Sequence, residues 1–140
     1  MDFTSIVKNA KNPSKLGIIG ATRGYGYTLL AQMVHVPLLQ LRVISSRHED
    51  ECRAGLEELG FHKEQPIIAC HGIEDIQAAP ENAILIVSDY RLVMECGITS
   101  LVECTGNTAV IERLNPDYTG EPLEATALYT VQGNVLQIQV

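Results

Sequence analysis

The chain is short of long apolar runs, of basic residues and of paired cysteines, and each shortage removes a class of function. Its longest unbroken apolar stretch, residues 83–87, is far too short to cross a bilayer. The opening stretch MDFTSIVKNAKNPSK lacks the apolar centre of a signal peptide. A cytoplasmic location without membrane association is therefore expected. Lysine and arginine number 10 against 17 acidic residues, a formal net charge of −7, and the basic residues are scattered. A nucleic-acid surface needs clustered cations to neutralise phosphates, so no nucleic-acid partner is expected. A small anion can still be held locally by backbone amides and one arginine.

Cys52, Cys70, Cys96 and Cys104 form no C-x-x-C pair, and only Cys70 has a histidine, His71, beside it. Buried free thiols are expected, and no metal site or disulfide framework. Paired catalytic carboxylates are also missing. Glu49, Asp50, Glu51, Glu57 and Glu58 read as a solvated helix face. His35, His48, His62 and His71 stand at no readable spacing from an acid pair, so no catalytic residue is assigned.

What is present is a 140-residue chain, 46% hydrophobic and 19% charged, which fits one globular domain. Apolar clusters rich in β-branched residues recur at 16–20, 41–45, 66–70, 84–88 and 99–104. Helical patterns lie at about 28–36, 49–59, 73–79, 89–96 and 107–114. This alternation predicts an α/β domain over residues 1–114, a Rossmann-like, mainly parallel sheet flanked by helices. Gly60 and Gly97 read as helix stops, and Ser88-Asp89 as a capped start.

Residues 115–140 break the rhythm and predict a connecting segment and a C-terminal β-hairpin, packed on the same domain or on a partner chain. Gly133-Asn134 suits its two-residue turn. That turn would set Val131 opposite Leu136, Tyr129 opposite Ile138 and Ala127 opposite Val140, an apolar face in need of cover.

The candidate site begins at Gly20, Ala21, Thr22, Arg23, Gly24, Tyr25 and Gly26, between the first strand and the first helix. A dinucleotide fold needs residues without a Cβ there, so that the backbone bends sharply and brings a pyrophosphate to the positive end of the helix. The spacing is not the strict G-x-G-x-x-G, and it also suits a glycine-rich turn that only packs helix on sheet. At the end of the second strand, where an NAD site carries an acid for the ribose hydroxyls, stand Ser45, Ser46 and Arg47. Two hydroxyls and a guanidinium suit a 2′-phosphate, which points to NADP rather than NAD.

With GATRGYG, VISSR and the later VECTGN, residues 16 to about 112 resemble the N-terminal NAD(P)-binding domain of the homoserine dehydrogenase-like, SAF-domain-associated oxidoreductases. The first two motifs are also similar to those of the NADP-using aspartate-semialdehyde dehydrogenases. The resemblance implies pyrophosphate binding by residues 20–26, binding of the 2′-phosphate by Ser45, Ser46 and Arg47, and a nicotinamide side lined by Ser88, Thr105, Gly106 and Asn107. It implies no nucleophilic role for Cys104. From about Arg113 the chain departs from the family pattern, and the expectation is that the catalytic half is absent here and that hydride transfer needs a substrate region supplied elsewhere, with a homodimer or a separate catalytic subunit left open as partner. Two other readings stay open: a non-catalytic nucleotide-binding or sensing module that homodimerises through its hairpin, and a structural α/β domain.

Overall fold

Each of the five apolar clusters forms a strand in the computed structural model, which describes residues 14–20, 25–105, 126–131 and 134–139. The strands are β1 (Ser14–Ile19), β2 (Leu39–Ser45), β3 (Ile67–Cys70), β4 (Ile84–Val87) and β5 (Ser100–Glu103). Between them lie α1 (Tyr25–Met33), α2 (Glu49–Glu58) and α3 (Ile73–Ala78), with 3-10 helices at Phe61–Lys63 and Tyr90–Cys96. The helical pattern at 89–96 thus winds as a 3-10 helix. Its N-cap Asp89 accepts the Arg91 N–H at 2.9 Å, and Gly97, at φ 72°, ends it in the left-handed region. The pattern at 107–114 lies outside the described residues.

All five strands run parallel, in the order β3-β4-β2-β1-β5. Parallel sheets are covered on both faces, which is why β4 (ILIV) is buried along its whole length. One face carries Ile18, Ile44, Ile84, Ile86 and Val102 against Leu30 and Met33 of α1 and Cys52 and Leu56 of α2. The other carries Ile19, Val43, Leu85, Val87 and Leu101 against Ile76 of α3 and Val93 and Cys96 of the second 3-10 helix. The result is a three-layer, Rossmann-like α/β architecture. In α2 only Cys52 and Leu56 are buried, one helical turn apart, and the acidic residues Glu49, Asp50, Glu51, Glu57 and Glu58 lie outside that buried pair. A fully buried Leu56 stabilises that packing by about 2 kcal/mol.

The β1–β2 ladder slips by one residue. Leu16 faces Leu41, but Gly17 faces Val43, so Arg42 is the extra residue of a β-bulge. The bulge puts Leu41 and Val43 on opposite faces of the sheet. It also frees the Arg42 side chain from the regular alternation. The buried guanidinium donates to the carbonyls of Pro80 (2.8 Å), Glu81 (3.2 Å), Ala83 (2.9 Å) and Cys96 (3.2 Å). One side chain of β2 therefore gathers the loop before β4 and the end of the 3-10 helix.

Beyond β5 the sheet continues with β6 (Thr126–Val131) and β7 (Asn134–Gln139), both antiparallel. Val131 stands opposite Asn134, Tyr129 opposite Leu136 and Ala127 opposite Ile138. The expected register was displaced from this one by two residues, with the turn at Gly133-Asn134. A two-residue slip leaves every residue on its own face of the sheet, so the apolar pattern could not distinguish the two registers. Residues 132, 133 and 140 lie outside the described residues.

Candidate functional site

The ladders bring the ends of the five parallel strands into one row. Cys70 pairs with Val87, Val87 with Ser45, Ser45 with Ile19, and Ile19 with Glu103. One residue further, His71, Ser88, Ser46, Gly20 and Cys104 leave the sheet along its carboxyl edge. Backbone bonds extend the ladder into this rim: Gly20 N–H donates to Ser45 O (3.0 Å), Ser46 N–H to Val87 O (2.9 Å) and Cys104 N–H to Ile19 O (2.8 Å). The chain switches sides between β1 and β5, since β2 lies on one side of β1 and β5 on the other. Open α/β sheets bind ligands at such a point.

Gly20 is required by its backbone and by its neighbour. Its φ is 86°, and a Cβ there would stand 2.8 Å from Thr105 Cγ2 and 3.2 Å from the Thr105 backbone nitrogen. Its amide is already used by Ser45, so Gly20 shapes the turn and does not itself present an N–H to an anion. Ala21, Thr22, Arg23 and Gly24 lie outside the described residues. Tyr25 opens α1, and Gly26 is buried beside it. Tyr27 belongs to helix packing: its ring lies over Gly55 of α2, and burial and the Glu58 carboxylate raise its phenol above the ordinary range.

At the end of β2, Ser45 and Ser46 are buried, while Arg47 and His48 are exposed. The Ser46 hydroxyl oxygen accepts the His48 N–H at 3.1 Å, which fixes the bend that carries Arg47. No acid intervenes before Glu49 opens α2. Of the three residues expected to meet a 2′-phosphate, Arg47 is the one whose side chain reaches solvent.

Ser88 is exposed at the end of β4. Beside it Asp89 grips Arg91 with both carboxylate oxygens, Nε lying 2.9 and 3.0 Å from Oδ1 and Oδ2 and Nη2 lying 2.7 Å from Oδ2. The bond and the opposite charge raise the Arg91 pKa further. Thr105 is exposed across the switch point, and Gly106 and Asn107 lie outside the described residues.

All four cysteines are free thiols, three of them buried. Burial first, and then the Glu103 charge, pushes Cys104 up to about 12. Such a thiol stays protonated at neutral pH and is a poor nucleophile. Among the described residues no group of three or more His, Cys, Asp or Glu could hold a metal ion. Nor is any helix among them long and apolar enough to cross a membrane.

Sequence reasoning gave no role to Glu103, although it lies within the VECTGN motif. It is fully buried at the end of β5, and its Oε1 accepts both the N–H of Thr105, at 2.6 Å, and the Thr105 hydroxyl. An acid closing an otherwise apolar run was the available signal.

A cavity of about 620 Å³ lies at the opposite end of the sheet, among Met33, Val36, Leu39, Leu59, Phe61 and Asn82. It sits at the amino ends of the strands, away from the turn after β1. The carboxyl edge, with its loops and the start of α1, is the better candidate on physical grounds. No protein-family model, no curated protein and no solved structure matches the chain.

Proposed function

We propose that this protein binds NADP(H) along the carboxyl edge of its parallel sheet, as the cofactor domain of a homoserine dehydrogenase-like oxidoreductase. The observation that carries this reading is the convergence of Gly20, Arg47, Ser88 and Thr105 on one edge, around the switch between β1 and β5. The residues fit the cofactor in their chemistry. A positive-φ glycine bends the chain between β1 and α1, and the β2 exit offers an exposed guanidinium and no acid before α2. Arg47 would hold the 2′-phosphate, residues 21–26 the pyrophosphate, and Ser88 and residues 105–107 the nicotinamide side. When bound, the nicotinamide would supply hydride transfer.

The described residues provide no assigned group for a substrate, so this reading gives them binding and orientation of the cofactor, with the substrate groups supplied elsewhere, as by a separate catalytic subunit. The family resemblance is one support, and NADP is preferred to NAD on the exposed Arg47 and on the absence of an acid between β2 and α2. A cytoplasmic setting accompanies it, supported by four free thiols. A second reading is a nucleotide-sensing module that homodimerises through its last strands. It is supported by the sheet order, which ends on β7.

Calorimetric titration with NADP, NADPH, NAD and NADH in one buffer tests the proposal. Tighter binding of the phosphorylated pair supports it, and heat from none of the four refutes it. Steady NADPH turnover with an aldehyde or ketone would count against the sensing module, and a monomer at all concentrations would count against its dimer.

A further inference from the structure

We propose that Glu103 is a positioning residue for this edge: its buried carboxylate anchors Thr105, and Thr105 in turn fixes the turn by which β1 leaves the sheet at Gly20. The inference rests on the dinucleotide reading above.

Leu101 and Val102 are buried on opposite faces of the sheet just before it, and a carboxylate in that setting is costly unless it is bonded. Glu103 spends its Oε1 on both donors of a residue two positions on, the Thr105 amide and hydroxyl. Hydrogen bonds to a carboxylate are about twice as strong as those between neutral groups. They bend the chain immediately past β5 and set Thr105 against Gly20, close enough that any Cβ on the glycine would meet Cγ2 at 2.8 Å. The Cys104 N–H bond to Ile19 O, at 2.8 Å, ties the same segment to β1.

The three residues therefore form a chain from the interior to the rim. Glu103 itself is fully buried and has no surface to offer a ligand. Its effect on a nucleotide would be indirect: a rim ordered before binding loses less freedom when the ligand arrives. Thr105, although exposed, acts here through its hydroxyl toward the protein, and its methyl group shapes the turn.

The test uses the full chain and three variants. Glu103→Leu removes the acceptor, and Glu103→Gln keeps one. Thr105→Val removes the hydroxyl at nearly constant shape and changes an exposed residue, which guards against a Glu103→Leu variant that fails to fold. NADPH affinity is measured by calorimetry, amide exchange at Gly20 by NMR, and the thermal midpoint alongside. Thr105→Val is expected to weaken NADPH by about tenfold, to speed exchange at Gly20 and to lower the midpoint, because the buried carboxylate loses one donor. Glu103→Leu is expected to do the same or more, and Glu103→Gln to recover most of the affinity. If the unsubstituted chain binds NADPH and Thr105→Val binds it equally well with unchanged exchange at Gly20, the positioning role is overturned and the dinucleotide reading survives. If the unsubstituted chain binds no dinucleotide, both fall together.

Discussion

The guanidinium of Arg42 donates to the carbonyl of Cys96 at 3.2 Å, joining residues 54 positions apart in the chain. The same side chain serves three carbonyls of the loop before β4. It is a buried cation held by backbone oxygens alone in these bonds, at the one bulged position of β2.

Arg42→Met should therefore destabilise the protein by about 3 kcal/mol or more, because it strips several buried carbonyls of charged donors at once. Arg42→Lys should recover only part, since an ammonium cannot match the planar fork. Urea unfolding of the three proteins measures this; an unchanged midpoint in Arg42→Met would contradict the anchoring role.

Gly20→Ala should lower stability by at least about 2 kcal/mol. The positive φ alone costs an alanine about 1–2 kcal/mol, and the clash with Thr105 adds to it. Pairing this change with Thr105→Ser removes the Cγ2 that the new methyl meets. The double variant should recover the clash contribution but not the backbone one, which thermal unfolding of the pair can separate.

Arg47→Ala should leave stability within about 0.5 kcal/mol, since the residue is exposed. NADP should weaken by roughly ten- to a hundredfold, as expected for the loss of a charge-assisted contact, and NAD much less. Equal losses for the two cofactors in calorimetry would remove the 2′-phosphate assignment.

The cysteines make a prediction about pH. Burial raises Cys52 and Cys96 from 9.0 to about 11 and Cys104 to about 12. Below about pH 9 these thiols are protonated in both the folded and the unfolded chain, so they impose no pH dependence. Above it the unfolded chain ionises first, and stability falls as the pH rises toward 11–12. Urea midpoints should hold steady from pH 7 to 8 and drop by pH 10. Replacing Cys104 with alanine should reduce that drop, and native-state alkylation at pH 8 should be slow at all three.

Much of the local structure was legible because it depends on residues close together in the chain. The apolar clusters gave β1 to β5 to within a few residues, and the intervening periodicity gave α1, α2 and α3. Gly60 and Gly97 do adopt the positive φ expected of stops. Asp89 does cap the segment it precedes. The strand ends that carry Gly20, Ser45, Ser88 and Thr105 could be named in advance for the same reason: each closes an apolar run.

Other features were decided only when distant segments met. Nothing in the local pattern places β4 between β2 and β3, because each buried strand offers apolar side chains to either neighbour. Arg42 reads as a polar interruption of a strand, and its burial depends on a bulge and on carbonyls 38 to 54 residues away. Glu103 likewise reads as an ordinary strand-end acid until Thr105 folds back onto it and Gly20 comes up beside. Among the described residues, sequence by itself determined where the chain is extended or helical, through side-chain periodicity and backbone preference. The tertiary structure alone decided which strands became neighbours and which polar groups were buried, because those outcomes depend on long-range packing and on hydrogen bonds that no local window contains.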